Sequence, residues 1–168
     1  DLPEIQLPYF ALPSELVLAD DFNAKIRDRL ISETHLTFNN REFDADNPEI
    51  AERLQACVEH VRADADAAEL FATCSGREVF VIATGPSLEQ HFDTLRTVRE
   101  QARRPLFICV DTAYRPLVEH GIKPDVVVTI DQRISTRHLP SDATSDITLV
   151  YMPMVDPAVL GGWQGKRY

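Results

Sequence analysis

Four short apolar runs punctuate the second half of the chain: Val79–Ala83, Leu106–Val110, Val126–Ile130 and Thr148–Met152. They are rich in β-branched residues and lack polar alternation, which predicts parallel strands covered on both faces. Between them the pattern turns helical. Ser87 stands where a helix N-cap belongs, and Gln90 three residues on completes a capping box. Thr112–Gly121 is a short amphipathic segment that Gly121 stops just past the helix end. Pro116 inside it predicts a helix that begins near Arg115 or kinks there. Strands alternating with helices imply right-handed βαβ units, hence an α/β fold: a Rossmann-like, mostly parallel sheet with flanking helices.

The first part of the chain reads differently. Residues 1–47 are irregular, punctuated by Pro3, Pro8 and Pro13, with one amphipathic helix over Asp21–Ile31. Asn39–Pro48 is polar and turn-rich, a connection. Asn47 is placed to cap a following helix with Pro48 at its first position. That helix is expected to run to about Leu70, with Ile50, Leu54, Cys57, Val58 and Val61 on one face. Residues 1–75 are therefore expected to be an irregular and helical extension, and 76–168 the Rossmann-like domain. Only four strands are legible, and Trp163–Tyr168 shows no helix closing the sheet. A doubly wound domain usually has more strands. The domain is therefore expected to be incomplete at its C-terminal end, a part of a longer protein, as the start at Asp1 also suggests.

Composition narrows the partners. With 27 acidic against 17 basic residues and a net charge of −10, the chain offers no electrostatic footprint for nucleic acid. The basic pair Arg103-Arg104 sits at a predicted helix end, where the dipole favours it. No apolar run is long enough to span a membrane and no signal peptide opens the sequence. Cys57, Cys74 and Cys109 form neither a CxxC unit nor a zinc pattern with the histidines. A cytoplasmic, reducing location fits best.

The candidate chemistry lies where strands end. The loop Thr84-Gly85-Pro86-Ser87-Leu88 joins a strand to a helix, the place where α/β proteins bind phosphate. Asp111 and Asp131, followed by Gln132, would emerge on the same edge of the sheet. Asp111 equally suits a helix cap. Asp125, after Pro124, reads as a structural turn residue. Arg133 and Arg137 are placed to meet a carboxylate or phosphate, or simply to be solvated. His138 is the better candidate for a general base, with His91 less well placed and His120 structural at a helix end. Three readings stand open: a glycosyltransferase using a nucleotide-activated sugar, a Mg²⁺-dependent diphosphokinase acting with ATP, and a catalytically silent binding or scaffold domain.

Ala83-Thr-Gly-Pro-Ser-Leu88 taken with Asp111-Thr-Ala and Gly121-Ile-Lys-Pro-Asp125 through Asp131 resembles the MptE-like (6-hydroxymethylpterin diphosphokinase-like) family. Within it the chain is most similar to bacterial motility accessory factor proteins, and the likeness covers roughly residues 76–165. The resemblance implies transfer of a nonulosonic acid, of pseudaminic or legionaminic type, from a CMP-activated donor to Ser or Thr of flagellin or another surface protein. It implies nucleotide binding by Gly85, Pro86, Ser87 and Leu88; the reading of the strand ends adds Thr84, Asp111 and Gln132 to that site and gives Asp131 and His138 as the catalytic candidates. No metal site or cofactor is then required, Mg²⁺ entering only with the diphosphokinase. The departures bear on that alternative: Asp111-Thr112 stands where the archaeal kinases are expected to carry Asp-Gly, and Thr129-Ile-Asp-Gln132 has one Asp where two are expected. Thr84 stands where motility accessory factors commonly have Gly.

Overall fold

The computed structural model describes residues 22–41 and 47–168. The chain divides into two compact units, Asp1–Ile50 and Ala51–Tyr168. In the first, α1 spans Phe22–Arg41. It runs beyond the expected Ile31 into the polar segment read as a connection, because neither Gly nor Pro interrupts Leu30–Arg41. Ile26, Leu30 and Leu36 on it are exposed. The expected irregular stretch with Pro3, Pro8 and Pro13, and the middle of the expected connection, lie outside the described residues.

Helix α2 spans Pro48–Ala63. The predicted cap is made: the Glu49 N–H donates to Asn47 Oδ1 at 3.0 Å. The helix stops seven residues short of Leu70 because two aspartates have other uses. Asp64 receives Arg167 and Tyr151, and Asp66 caps a separate 3₁₀ turn at Ala67–Leu70 through the Ala68 N–H at 2.8 Å.

In the second unit the four predicted strands are present, each matching its apolar run or falling one residue short of it: β1 Val79–Ile82, β2 Leu106–Val110, β3 Val126–Thr129 and β4 Thr148–Tyr151. All are parallel, in the order β1-β2-β3-β4. Helix α3 (Phe92–Arg99) joins β1 to β2, and α4 (Asp111–Glu119) joins β2 to β3. When every right-handed crossover steps the same way, the helices fall on one face of the sheet. Accordingly Phe92 and Leu95 of α3 and Ala113, Tyr114 and Leu117 of α4 share one core with Ile82, Phe107, Cys109, Val127 and Leu149. This corrects the expectation that every strand is covered on both faces. Strand β1 lies at the sheet edge, and its Val79 and Val81, pointing away from the helices, are 39% and 76% exposed.

Two further corrections concern the helices. Pro116 does not delay α4, which starts at Asp111 and carries the proline in its second turn. The Thr112 carbonyl is what loses a donor there. The end is as expected: Gly121 has φ +73°, its N–H reaches the Val118 carbonyl at 2.9 Å, and the Ile122 N–H reaches the Leu117 carbonyl at 2.8 Å. The second correction is a short helix, α5 (Pro157–Gly162), capped by Asp156 through the Ala158 N–H at 2.9 Å. After it Lys166–Tyr168 pairs alongside β4, with the Tyr168 N–H donating to the Leu149 carbonyl at 2.9 Å. The tail is thus part of the sheet. Among the described residues no helix is long and apolar enough to cross a membrane.

Candidate functional site

Because all four strands run the same way, their carboxyl ends share one edge, and the segments following them form its rim: Ala83–Ser87 after β1, the start of α4 after β2, Ile130–Gln132 after β3 and Met152–Asp156 after β4. The first two are joined directly. Thr84 Oγ1 donates to Thr112 Oγ1 at 2.7 Å, both side chains being exposed. Thr112 has no signal of its own in the sequence beyond following a strand-end aspartate.

The phosphate loop differs from its predicted form. Ser87 does not cap a helix: its backbone is itself helical, its side chain makes no cap bond, and a 3₁₀ turn, Leu88–His91, intervenes before α3. The Gln90 N–H goes instead to the Ser87 carbonyl at 3.1 Å. A short 3₁₀ turn satisfies those donors with backbone oxygen, leaving the Ser87 hydroxyl unspent and exposed. The Leu88 N–H is already given to the Gly85 carbonyl at 2.9 Å, and the Leu88 side chain lies in the core. Pro86 has no N–H. Of the loop's backbone donors, those of Thr84, Gly85 and Ser87 are therefore the ones left for a ligand among the described residues, beside the hydroxyls of Ser87 and Thr112. Gly85 is not held in the left-handed region, and a Cβ there would meet only Ser87 Oγ at 3.9 Å. The glycine leaves open room above the loop rather than easing a turn.

Asp111 occupies the first turn of α4, 8% exposed, and its Oδ1 accepts the Thr112 N–H at 2.7 Å. Val110, not Asp111, holds the cap position. Beneath it Cys109 is buried, and burial with the adjacent Asp111 charge pushes its thiol up to about 12. Asp131 is half-buried just beyond β3, with Oδ1 accepting the Arg133 N–H at 2.8 Å. Thr129, the last residue of β3, has a buried hydroxyl without a partner among the described residues.

Gln132, also half-buried, accepts a hydrogen bond at its carbonyl from Arg53 Nη1 of α2, which also reaches the Met154 carbonyl at 3.5 Å. Sequence reasoning missed this arginine, which lies in the stretch assigned to the extension. His138 faces its own loop: Nδ1 lies 3.3 Å from both the N–H and the hydroxyl of Ser135. An Nδ1 that accepts a backbone N–H leaves the ring proton on Nε2. No hydrogen bond or ion pair links Asp111, Asp131 and His138 to one another among the described residues.

The remaining candidates separate cleanly. His91 is exposed at the start of α3. His120 stacks on Phe92 at 3.8 Å between ring centroids, with Nδ1 2.8 Å from the Pro116 carbonyl. Arg133 and Arg137 are exposed. Asp125 is structural, as expected. It receives Arg99 twice, at 2.6 and 2.9 Å, Arg104 at 3.0 Å and the Phe107 N–H at 2.8 Å. Among the described residues no three His, Cys, Asp or Glu side chains gather as a metal cage.

The family described as 6-hydroxymethylpterin diphosphokinase MptE-like matches residues 53–168, the greater part of the chain. A curated 6-hydroxymethyl-7,8-dihydropterin pyrophosphokinase of Methanocaldococcus jannaschii is 37% identical over 54 residues, 32% of this chain. That match spans about a fifth of the relative's length, 22%.

Proposed function

Since the chain belongs to the 6-hydroxymethylpterin diphosphokinase MptE-like family, we propose that the carboxyl edge of its sheet holds the phosphate of a nucleotide and serves group transfer from it. The observation that carries this reading is the joined pair of loops, where Thr84–Thr112 sets unspent N–H and hydroxyl donors above the open space at Gly85. Such donors, at the N-terminal turn of α4, favour an anion.

In our finer reading the donor is a CMP-activated nonulosonic acid and the acceptor a Ser or Thr hydroxyl of flagellin or another surface protein. The acceptor oxygen bonds to the anomeric carbon, the bond from that carbon to the CMP phosphate breaks, and the acceptor's proton passes to Asp131. Donors at Gly85, Ser87 and Thr112 receive the charge that builds on the departing phosphate. Asp111 orders the first turn of α4, and His138, turned to Ser135, assists through its Nε2 edge. The three free cysteines suit a reducing, cytoplasmic setting.

The pyrophosphokinase relative favours a second reading, diphosphoryl transfer from ATP to a pterin-like alcohol. Asp111 and Asp131 each keep one oxygen free of backbone N–H groups. Two carboxylates of this kind would hold Mg²⁺ together with phosphate oxygens and water, and the ion would neutralise phosphate charge. Titration calorimetry with CMP, and separately with ATP plus Mg²⁺, decides between the two. Metal-independent CMP binding that weakens in Ser87→Ala supports sugar transfer. Mg²⁺-dependent ATP binding lost in Asp131→Ala overturns it in favour of the kinase. Binding of neither overturns the nucleotide site.

A further inference from the structure

Arg53 differs from the other part-buried arginines. Arg99 is held against Asp125 and Arg167 against Asp64. Arg53 is half-buried in a chain of 27 acidic residues, yet makes no ion pair among the described residues. Its bonds to the described residues both leave from Nη1, to the carbonyls of Gln132 and Met154. Neither Asp131, whose Oδ1 accepts the Arg133 N–H, nor Asp156, whose Oδ1 caps α5, bonds to it. One helical turn on, the Cys57 thiol lies 3.6 Å from the Val155 carbonyl, so this face of α2 is docked on the loops after β3 and β4. The guanidinium is thus pinned from one side, and the fork formed by Nε and Nη2 has no acceptor among the described residues.

A fixed, planar pair of N–H donors with no acceptor matches a carboxylate or phosphate in two parallel hydrogen bonds. The geometry points to Arg53 as the residue that takes an oxyanion of the ligand on this open fork, one residue from Asp131. This rests on the nucleotide reading for the ligand's identity, not for the fork itself. Two sources carry the same chemistry: the carboxylate of a nonulosonic acid and the phosphate of a nucleotide. Pinning by the two carbonyls orders the guanidinium before the ligand arrives, which lowers the entropy lost on binding.

The test follows the Arg53 Nε–H resonance of the ¹⁵N-labelled chain, assigned by its absence from Arg53→Lys, during titration with N-acetylneuraminate, CMP and inorganic phosphate. A saturable shift with N-acetylneuraminate alone identifies the carboxylate; one with CMP and phosphate identifies the phosphate. No shift with any of the three overturns the proposal. Calorimetry of the effective probe with Arg53→Gln is expected to show at least a tenfold loss, partly recovered in Arg53→Lys. Unchanged affinity in Arg53→Gln also overturns it. Binding of N-acetylneuraminate at Arg53 without binding of CMP or ATP would leave the fork standing and sink the nucleotide reading. CMP binding with the resonance unmoved by all three probes would do the reverse.

Discussion

Thr84 and Thr112 lie 28 positions apart in sequence and 2.7 Å apart at their hydroxyl oxygens, so the loop after β1 and the first turn of α4 form one surface. Thr84→Val removes the donor and keeps the shape. Because the pair is exposed, thermal stability should change by no more than about 0.5 kcal/mol. Nucleotide affinity should fall by about threefold to tenfold, the worth of one hydrogen bond. Calorimetry on Thr84→Val beside a melting curve checks both halves, and unchanged affinity would remove the pair from the site.

Ser87 and Gly85 give a matched test of the loop. A lost N-cap would cost about 1 kcal/mol; with no cap bond to lose, Ser87→Ala should be close to neutral in urea unfolding. Gly85→Ala should also fold normally, since its Cβ meets nothing nearer than 3.9 Å. Both should weaken binding, Gly85→Ala by filling the space proposed for the phosphate.

Asp125 supplies an acid-sensitive lock. Its burial works to raise its pKa, but hydrogen bonds from Arg99, the Phe107 N–H and Arg104 outweigh that and hold it below 3.8. The folded pKa lies below the unfolded one. The stabilisation is therefore full above pH 3.8 and lost as pH falls through the folded value. Asp125→Asn should be less stable by about 1–3 kcal/mol at pH 7, since it leaves Arg99 without its carboxylate. The deficit should shrink on acidification below pH 4, as followed by urea unfolding at several pH values. A deficit constant down to pH 2 would contradict this.

The cysteines should differ in reactivity. Cys57 and Cys109 are buried, and burial raises both thiols, Cys109 to about 12. Thiolate is the reactive form. Titration with a disulfide reagent at pH 8 should modify Cys74 in the native protein and the other two only on unfolding.

Gly165 packs where no side chain fits. A Cβ there would lie 2.0 Å from the Ile147 carbonyl oxygen and 2.5 Å from that of Thr144, both backbone. Gly165→Ala should cost at least the upper end of the ~1–3 kcal/mol typical of overpacking. Its melting temperature should drop accordingly, with the Trp163–Ile147 hydrogen bond loosened.

The sequence by itself determined the local parts of this protein. The period of its apolar runs located four parallel strands, Asn47 and Gly121 marked a helix start and a helix end, and Asp111 and Asp131 were legible as strand-end carboxylates on one edge. These features depend on backbone chemistry within a few residues, which is what pattern and capping rules express. Tertiary structure decided the rest. It gave Ser87's expected partner to a backbone carbonyl, left one face of β1 open, brought Asp64 to Arg167 and so ended α2 early, and set Arg53 against Gln132, 79 positions away. No local pattern marks such contacts, because a carbonyl left over at one loop and a guanidinium on a distant helix meet only when the sheet between them has formed.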